Sequence, residues 1–288
     1  MKAARSARGN QVALEVVTAL LFLLFILPLL LIIINSAKSS FAITAYPLAL
    51  PKDWLQIFRN MQTIWTSPDV AYPSSFLSSI IITVLSVAAL DILCSQAAWA
   101  LVRARRRVSQ LIFLMFVGAM VIPFQIIMFP LLSWFRLITA ATGIELLRTY
   151  LGMIFAYIGF GLSLTIFLFH GFIKGIPYEL EEAATIDGCS RFQVFYRIVF
   201  PLLSPIHATV VVLNGMWIWN DYLLPLLVLG KGNPVQTIPL AVANFAGAFV
   251  KQWDLILTAI VMAIIPIIAL FLAAQRFIIK GIVAGSIK

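Results

Sequence analysis

Gly175-Ile176-Pro177-Tyr178-Glu179-Leu180-Glu181-Glu182-Ala183-Ala184-Thr185-Ile186-Asp187-Gly188-Cys189-Ser190-Arg191-Phe192 interrupts a chain that is otherwise dominated by apolar runs. The stretch is too polar to lie in hydrocarbon and too patterned to be a plain linker. Pro177 suits a first helical position, where its missing N–H would be unpaired in any case. Glu179, Glu181 and Glu182 follow within the first turns, where the helix dipole favours negative charge. Ala183 and Ala184 are strong helix formers that leave a flat face. Gly188 is expected to end the helix in a left-handed conformation. Ser190 is placed to cap a second helix through Phe192, Phe195 and Ile198 toward Pro201. The stretch therefore reads as two short helices hinged at a glycine, a knob whose Ala-Ala face permits close approach. Its Glu182 and Asp187 are placed to meet basic groups on a partner. A solvated amphipathic loop on lipid headgroups has the same composition, and composition alone does not separate the two readings.

On either side of this knob the chain reads as membrane protein. Of 288 residues, 62% are hydrophobic and 11% charged, with a mean hydropathy of +1.04. A soluble domain is about 45–50% apolar and about 25% charged. No water-soluble core of this length buries so much apolar surface, which excludes a soluble enzyme, a disordered chain and a small disulfide scaffold. An unsatisfied backbone amide in hydrocarbon is too costly for any spanning element except a helix or a closed barrel. The apolar runs are continuous rather than alternating, which selects helices. Six spans are predicted: Val16–Ile34, Phe76–Leu101, Leu111–Phe135, Tyr150–Phe172, Leu202–Trp219 and Leu255–Ala274. Pro123, Pro130, Pro205, Gly159 and Gly161 predict kinks. Trp219–Leu240, broken by Pro225, Gly230, Gly232, Pro234 and Pro239, reads as a re-entrant or interfacial connector.

The net charge of +9 follows the same topology. The amino terminus, Arg103–Arg107, the knob region and the carboxyl terminus hold thirteen Lys and Arg; the opposite set of loops holds seven. Basic loops stay in the cytoplasm, so both termini and the knob are expected there, with the loop Asn35–Ser75 outside. The first span follows a basic start, like a signal peptide. It is longer than a typical signal core and Asn35-Ser36-Ala37 is a poor cleavage site, so it reads as an uncleaved anchor. Cys94 and Cys189 match no metal or redox spacing and read as free thiols.

Several residues resemble chemistry without its context. His170 and His207 lack a second ligand at i+3 or i+4, so no metal site is expected. No Gly-rich phosphate loop occurs, so the chain is expected to bind no ATP and no cofactor of its own. Asp91 inside the second span costs about 2.5–3.5 kcal/mol on the insertion scale. The eleven Phe, Leu, Ile and Val residues of Phe76–Leu93 together supply about −3 to −6 kcal/mol. Asp91 is thus tolerated, either on a transport path or as a carboxylate bonded to a neighbouring helix or wet at the span end. The cluster Arg103–Arg107 has no assignment from sequence.

Glu182-Ala183-Ala184, Gly188, Ile198 and Pro201 fall at the spacing of the EAA motif of binding-protein-dependent ABC importer permeases. The string Ile176-Pro177-x-Glu179-Leu180-x-Glu182-Ala183-Ala184-x-Ile186-Asp187-Gly188 is similar to the carbohydrate, maltose-transporter-type branch. Ile122-Pro123-Phe124-Gln125, Thr149-Tyr150-Leu151-Gly152, Trp219-Asn220-Asp221-Tyr222-Leu223-Leu224-Pro225-Leu226 and the ending Gln275–Ser286 also resemble it, so the likeness covers about Ser74 to Lys288. Cys189 departs from a usual small Ala and Phe200 from a Leu before the proline, both packing changes.

The resemblance implies an all-α, six-helix type I importer permease fold. Its divisions are 1–70 (amino terminus, first span, outer loop), 71–280 (permease domain with coupling loop 175–200) and 281–288 (cytoplasmic tail). It implies a sugar or oligosaccharide as cargo, with a second permease subunit as heterodimer partner. Two ATPase subunits would hold ATP and Mg, and an extracytoplasmic binding protein would deliver the sugar. On this reading Glu179, Glu182, Ala183, Ala184, Asp187 and Gly188 couple to the ATPase, and Gly281 and Gly285 sit on a tail reaching the ATPase interface. Asn214, Trp217 and Asn220 are the expected substrate path. Gly247, Ala248 and Phe249 fall where the family has a loop probing the binding protein; an ordinary interfacial turn fits the same residues. A same-fold permease for another solute is the alternative reading. A secondary transporter would need intramembrane coupling residues and internal repeats, for which Asp91 alone is thin support. Nucleic acid is not an expected partner; membrane lipid is.

Overall fold

The computed structural model describes residues 2–68, 71–104, 106–248 and 252–286. These fold into helices in two compact units, one of Met1–Ala71 with Val242–Ile265, the other of Tyr72–Ala241 with Pro266–Lys288.

In the first unit α1 (Lys2–Ser36) carries the apolar stretch Leu14–Ser36, long enough to cross a bilayer. The expected outer loop is not a plain loop: it contains α2 (Ser40–Ala45), capped by the Ser39 hydroxyl, and α3 (Gln56–Thr66). A polar cluster closes this unit. The Ser36 carbonyl accepts from Asn60 Nδ2 at 3.0 Å and from Thr258 Oγ1 at 3.1 Å, and all three residues are buried. Lys38 is buried too, its ammonium donating to Asn35 Oδ1 at 3.0 Å and to the carbonyls of Tyr46 and Pro47 at 3.0 and 3.3 Å. Burial holds its pKa below the ordinary lysine value.

The second unit is built on α4 (Tyr72–Arg103). The helices α5 (Arg107–Ala119), α6 (Phe124–Thr142) and α7 (Tyr150–Ile173) follow it. The single span expected over Leu111–Phe135 is in fact two helices. Pro123 has no N–H to continue the ladder and disfavours helix at the residue before it, so α5 ends and α6 restarts at Phe124. α6 then runs on to Thr142, stopped by Gly143 at φ +75°. α7 is unbroken despite Gly159 and Gly161. Gly161 instead lets it approach α4, since a Cβ there would lie 2.6 Å from Leu90 Cδ1. Leu90, Cys94, Met153, Tyr157, Ile166, Phe169 and Val210 form the fully buried centre of this unit.

Past α7 come α8 (Glu179–Ile186), α9 (Arg191–Val194), a widened π turn (Phe195–Val199), α10 (Phe200–Leu202) and α11 (Ser204–Asn220). Pro201 accounts for the π turn: its ring would clash with the Arg197 carbonyl four residues back, and opening the turn avoids the clash. The segment Arg191–Leu202 meets α11 at a 75° bend. The connector after Trp219 is broken, as its prolines and glycines predict: α12 (Leu223–Val228), then Gly230 and Gly232 at positive φ, then α13 (Ile238–Ala248). The last helix, α14 (Trp253–Ser286), carries Pro266 inside it.

Candidate functional site

The knob is formed by α8 and α9 and fastened by residues from α4. Its first helix starts at Glu179, not at Pro177; the N-cap position belongs to Tyr178. All three acids lie in its first turn, as the dipole argument requires. They are not equivalent. Glu181 is 4% exposed and takes Trp99 Nε1 at 2.9 Å on one carboxylate oxygen and Arg103 Nε at 2.8 Å on the other. Arg103 Nη2 reaches the same carboxylate at 2.8 Å and the Ile176 carbonyl at 3.1 Å. The Arg103 guanidinium also lies over the Tyr178 ring, 5.4 Å from its centroid. A buried carboxylate with a guanidinium and an indole N–H has its lone pairs met and its charge balanced. This clamp holds the knob at the end of α4.

The remaining face is free of the bundle. Glu179, Leu180, Glu182, Ala183, Ile186, Asp187 and Gly188 are exposed, Ile186 at 86% and the nearby Phe192 at 70%. The expected flat Ala-Ala face is split. Ala184 packs inward at 7% exposure while Ala183 faces out, because successive helical residues are a quarter-turn or more apart. Gly188 has φ +85° and ends the helix, with nothing within 4 Å of where a Cβ would stand. Ser190 caps α9 in a full capping box, its Oγ accepting from Gln193 N while the Gln193 side chain accepts from Ser190 N.

Two further constellations brace the bend. His207 Nδ1 lies 2.8 Å from Asp91 Oδ1 and Nε2 lies 3.1 Å from the Phe200 carbonyl. A carbonyl only accepts, so Nε2 carries hydrogen and the Asp91–Nδ1 bond holds one further proton. Asp91 is thus a carboxylate bonded to a neighbouring helix. Gln96 Nε2 donates to Tyr196 OH at 2.6 Å, tying the π turn to α4.

The expected path residues separate. Asn214 is 2% exposed and enclosed between α7 and α11, donating to Thr165 Oγ1 and to the Val210 carbonyl, both at 3.1 Å. In this structure it is packed against α7. Trp217 is half-buried, edge-on to Tyr157 with centroids 5.5 Å apart, and Asn220 is exposed at the end of α11. Tyr157 OH donates to Asp221 Oδ2 at 3.1 Å. Gly247 and Ala248 end α13; Phe249 lies outside the described residues. Gly281 and Gly285 ride on the continued helix α14.

Residues 92–283, which include the knob, match the family described as the binding-protein-dependent transport system inner membrane component. This chain belongs to that family.

This inner membrane component is 40% identical to the probable starch degradation products transport system permease AmyC of Thermoanaerobacterium thermosulfurigenes, over 93% of both chains. It is 35% identical to the melibiose/raffinose/stachyose import permease MelC of Bacillus subtilis, over 80% of this chain and 81% of that one. With the multiple sugar-binding transport system permease MsmG of Streptococcus mutans it shares 34%, over 74% and 76%. Among solved structures, a chain of a bacterial ABC transporter that imports the acidic polysaccharide alginate shares the fold, with a TM-score of 0.74. That match has 23% identity and covers 95% of this chain and 98% of the other. The permease is therefore a membrane-embedded transport subunit of an ABC importer and not an enzyme.

Neither Glu181 nor Arg103 was singled out from sequence. The one available signal was a third acid in a first turn opposite an unassigned arginine cluster. Nothing local in the sequence pairs two residues separated by 78 positions.

Proposed function

We propose that this permease translocates a sugar or oligosaccharide, and that its acidic knob receives the motion of a separate ATPase. The single observation that carries the reading is the division of labour within α8: Glu181 is buried in the clamp on α4, while Glu179, Glu182, Asp187 and the left-handed Gly188 face outward. A knob so held transmits a push to the bundle instead of absorbing it. The cargo class is supported by relatives named for starch products, melibiose, raffinose and stachyose.

In this reading the chain pairs with a second permease subunit, and two ATPase subunits hold ATP and Mg while this chain binds no cofactor. A binding protein delivers the sugar from outside, and both termini and the knob lie in the cytoplasm. Glu179, Glu182 and Asp187 supply charge for docking, Ala183 close approach, and Gly188 the angle between the helices. Exposed Ile186 and Phe192 add apolar area to the same face. Gly281 and Gly285 form a second contact, Trp217 and Asn220 line the path, and Gly247 to Phe249 meet the binding protein. ATPase closure then biases a two-state bundle, whose 75° bend and proline breaks are natural pivots.

The test is uptake by the assembled importer in vesicles. Glu182→Lys and Gly188→Asp should insert normally, yet lower sugar uptake roughly tenfold and release ATP hydrolysis from its dependence on delivered sugar. Normal uptake by both variants would refute the assignment.

A further inference from the structure

Beside the Glu181 clamp lies a cavity of about 680 Å³ that the coupling reading does not use. Its wall includes Arg103, Arg106 and Arg191, three guanidiniums against the single acid Glu181. Glu181 is already committed to Arg103. Arg106 and Arg191 are exposed, and among the described residues neither has an ion-pair partner. Among the described residues Arg103 bonds through Nε and Nη2, which leaves the Nη1 donors for a ligand. Val108 and Ser109, in the first turn of α5, complete this side of the wall. That helix begins without a side-chain cap and without an acid in its first turn, so nothing acidic opposes an anion at the positive end of its dipole. The cavity thus combines surplus guanidinium charge with a serine hydroxyl beside a helix start, a set that fits a tetrahedral oxyanion.

We propose that this cavity binds a phosphate group, the chemistry shared by an anionic lipid headgroup and a soluble phosphorylated solute. Its position favours the lipid. Arg103 is the last residue of α4, one of the helices long and apolar enough to cross a bilayer, so the cavity lies at the end of a span, where basic residues attract anionic headgroups. Trp99 and Tyr178 in its wall are the residue types of that interface. The proposal does not depend on which solute is carried or on the knob's docking role.

The experiment uses the full-length permease with its partner subunits, reconstituted in vesicles of phosphatidylcholine with or without phosphatidylglycerol, and extracted for native mass spectrometry of retained lipid. The wild type should retain phosphatidylglycerol over phosphatidylcholine. Arg106→Gln with Arg191→Gln should lower that preference roughly 30-fold, by two interfacial charges, while the double Lys variant keeps most of it. Both arginines are exposed, so the Gln variant should fold, which its unfolding temperature checks. A second arm titrates inorganic phosphate: displacement of retained lipid at millimolar phosphate in the wild type but not the Gln variant assigns the site to phosphate from a soluble source. Equal phosphatidylglycerol retention by wild type and Gln variant, with no effect of phosphate, overturns the proposal. Loss of an ATPase subunit from the Gln variant with lipid retention unchanged also overturns it, and gives the cavity to a protein carboxylate.

Discussion

Glu181 and Glu182 are neighbours of identical chemistry with opposite surroundings. Glu181→Ala leaves Arg103 and the Trp99 N–H facing a void, and breaking a buried pair in this way costs about 3–5 kcal/mol. Glu182→Ala removes an exposed side chain and should stay within about 0.5 kcal/mol. Thermal unfolding in detergent measures the first pair of values, and limited proteolysis across 175–190 should show the knob released only in the Glu181 variant. Gly188 gives a similar separation of causes. No neighbour stands near its missing Cβ, so a substitution there meets only backbone strain, about 1–2 kcal/mol for Ala at φ +85°. Gly188→Asn should be milder than Gly188→Ala, and Gly188→Val worse than either, in both stability and coupling.

At the scale of elements, two glycines of α7 make contrasting predictions. A Cβ on Gly152 would sit 1.7 Å from the Leu146 carbonyl oxygen, which is backbone and cannot swing aside. A Cβ on Gly161 would meet the ends of the Leu90 side chain, which can. Gly161→Ala should therefore cost about 1–3 kcal/mol of overpacking, offset by about 1 kcal/mol of helix propensity. Gly152→Ala should lower the yield of folded protein far more, as read by fluorescence-detected gel filtration. The bend between α10 and α11 is braced by the His207–Asp91 pair. A double-mutant cycle of Asp91→Asn and His207→Ala should return a coupling of about 1–2 kcal/mol, near the upper end for interhelical polar contacts in membranes.

For the whole molecule, the proposed orientation is open to a direct reading by its own cysteines. Cys94 is buried and Cys189, on the knob, is half-buried. An impermeant maleimide should label inside-out vesicles at Cys189 and leave right-side-out vesicles unlabelled. Cys189→Ser should abolish the signal and Cys94→Ser should not. What was legible in the chain follows a single rule of range. The apolar runs, the positive-φ glycine and the Ser190 cap depend on neighbours within a turn or two, and each stands in the structure where those neighbours dictate. The break at Pro123 was marked by its residue but read as a kink, because a sequence does not show whether the helix re-forms on the same axis. Asn214 is a polar residue in a span with two uses, a path group or a bond to a neighbouring helix, and its bond to Thr165 on α7 is beyond what local sequence shows. The Glu181 clamp lay beyond reach, since its three groups come from distant parts of the chain.

The carbonyl of Ser36 joins Asn60 and Thr258, residues 24 and 222 positions away. A ribosome releases the chain in order, so this lobe stays incomplete until almost the whole polypeptide has been synthesised. Nascent chains halted near residue 240 should leave 36–66 open to protease, and the released full-length chain should protect it. Closure of the lobe is then a late checkpoint in biogenesis, one that marks the final helix as delivered.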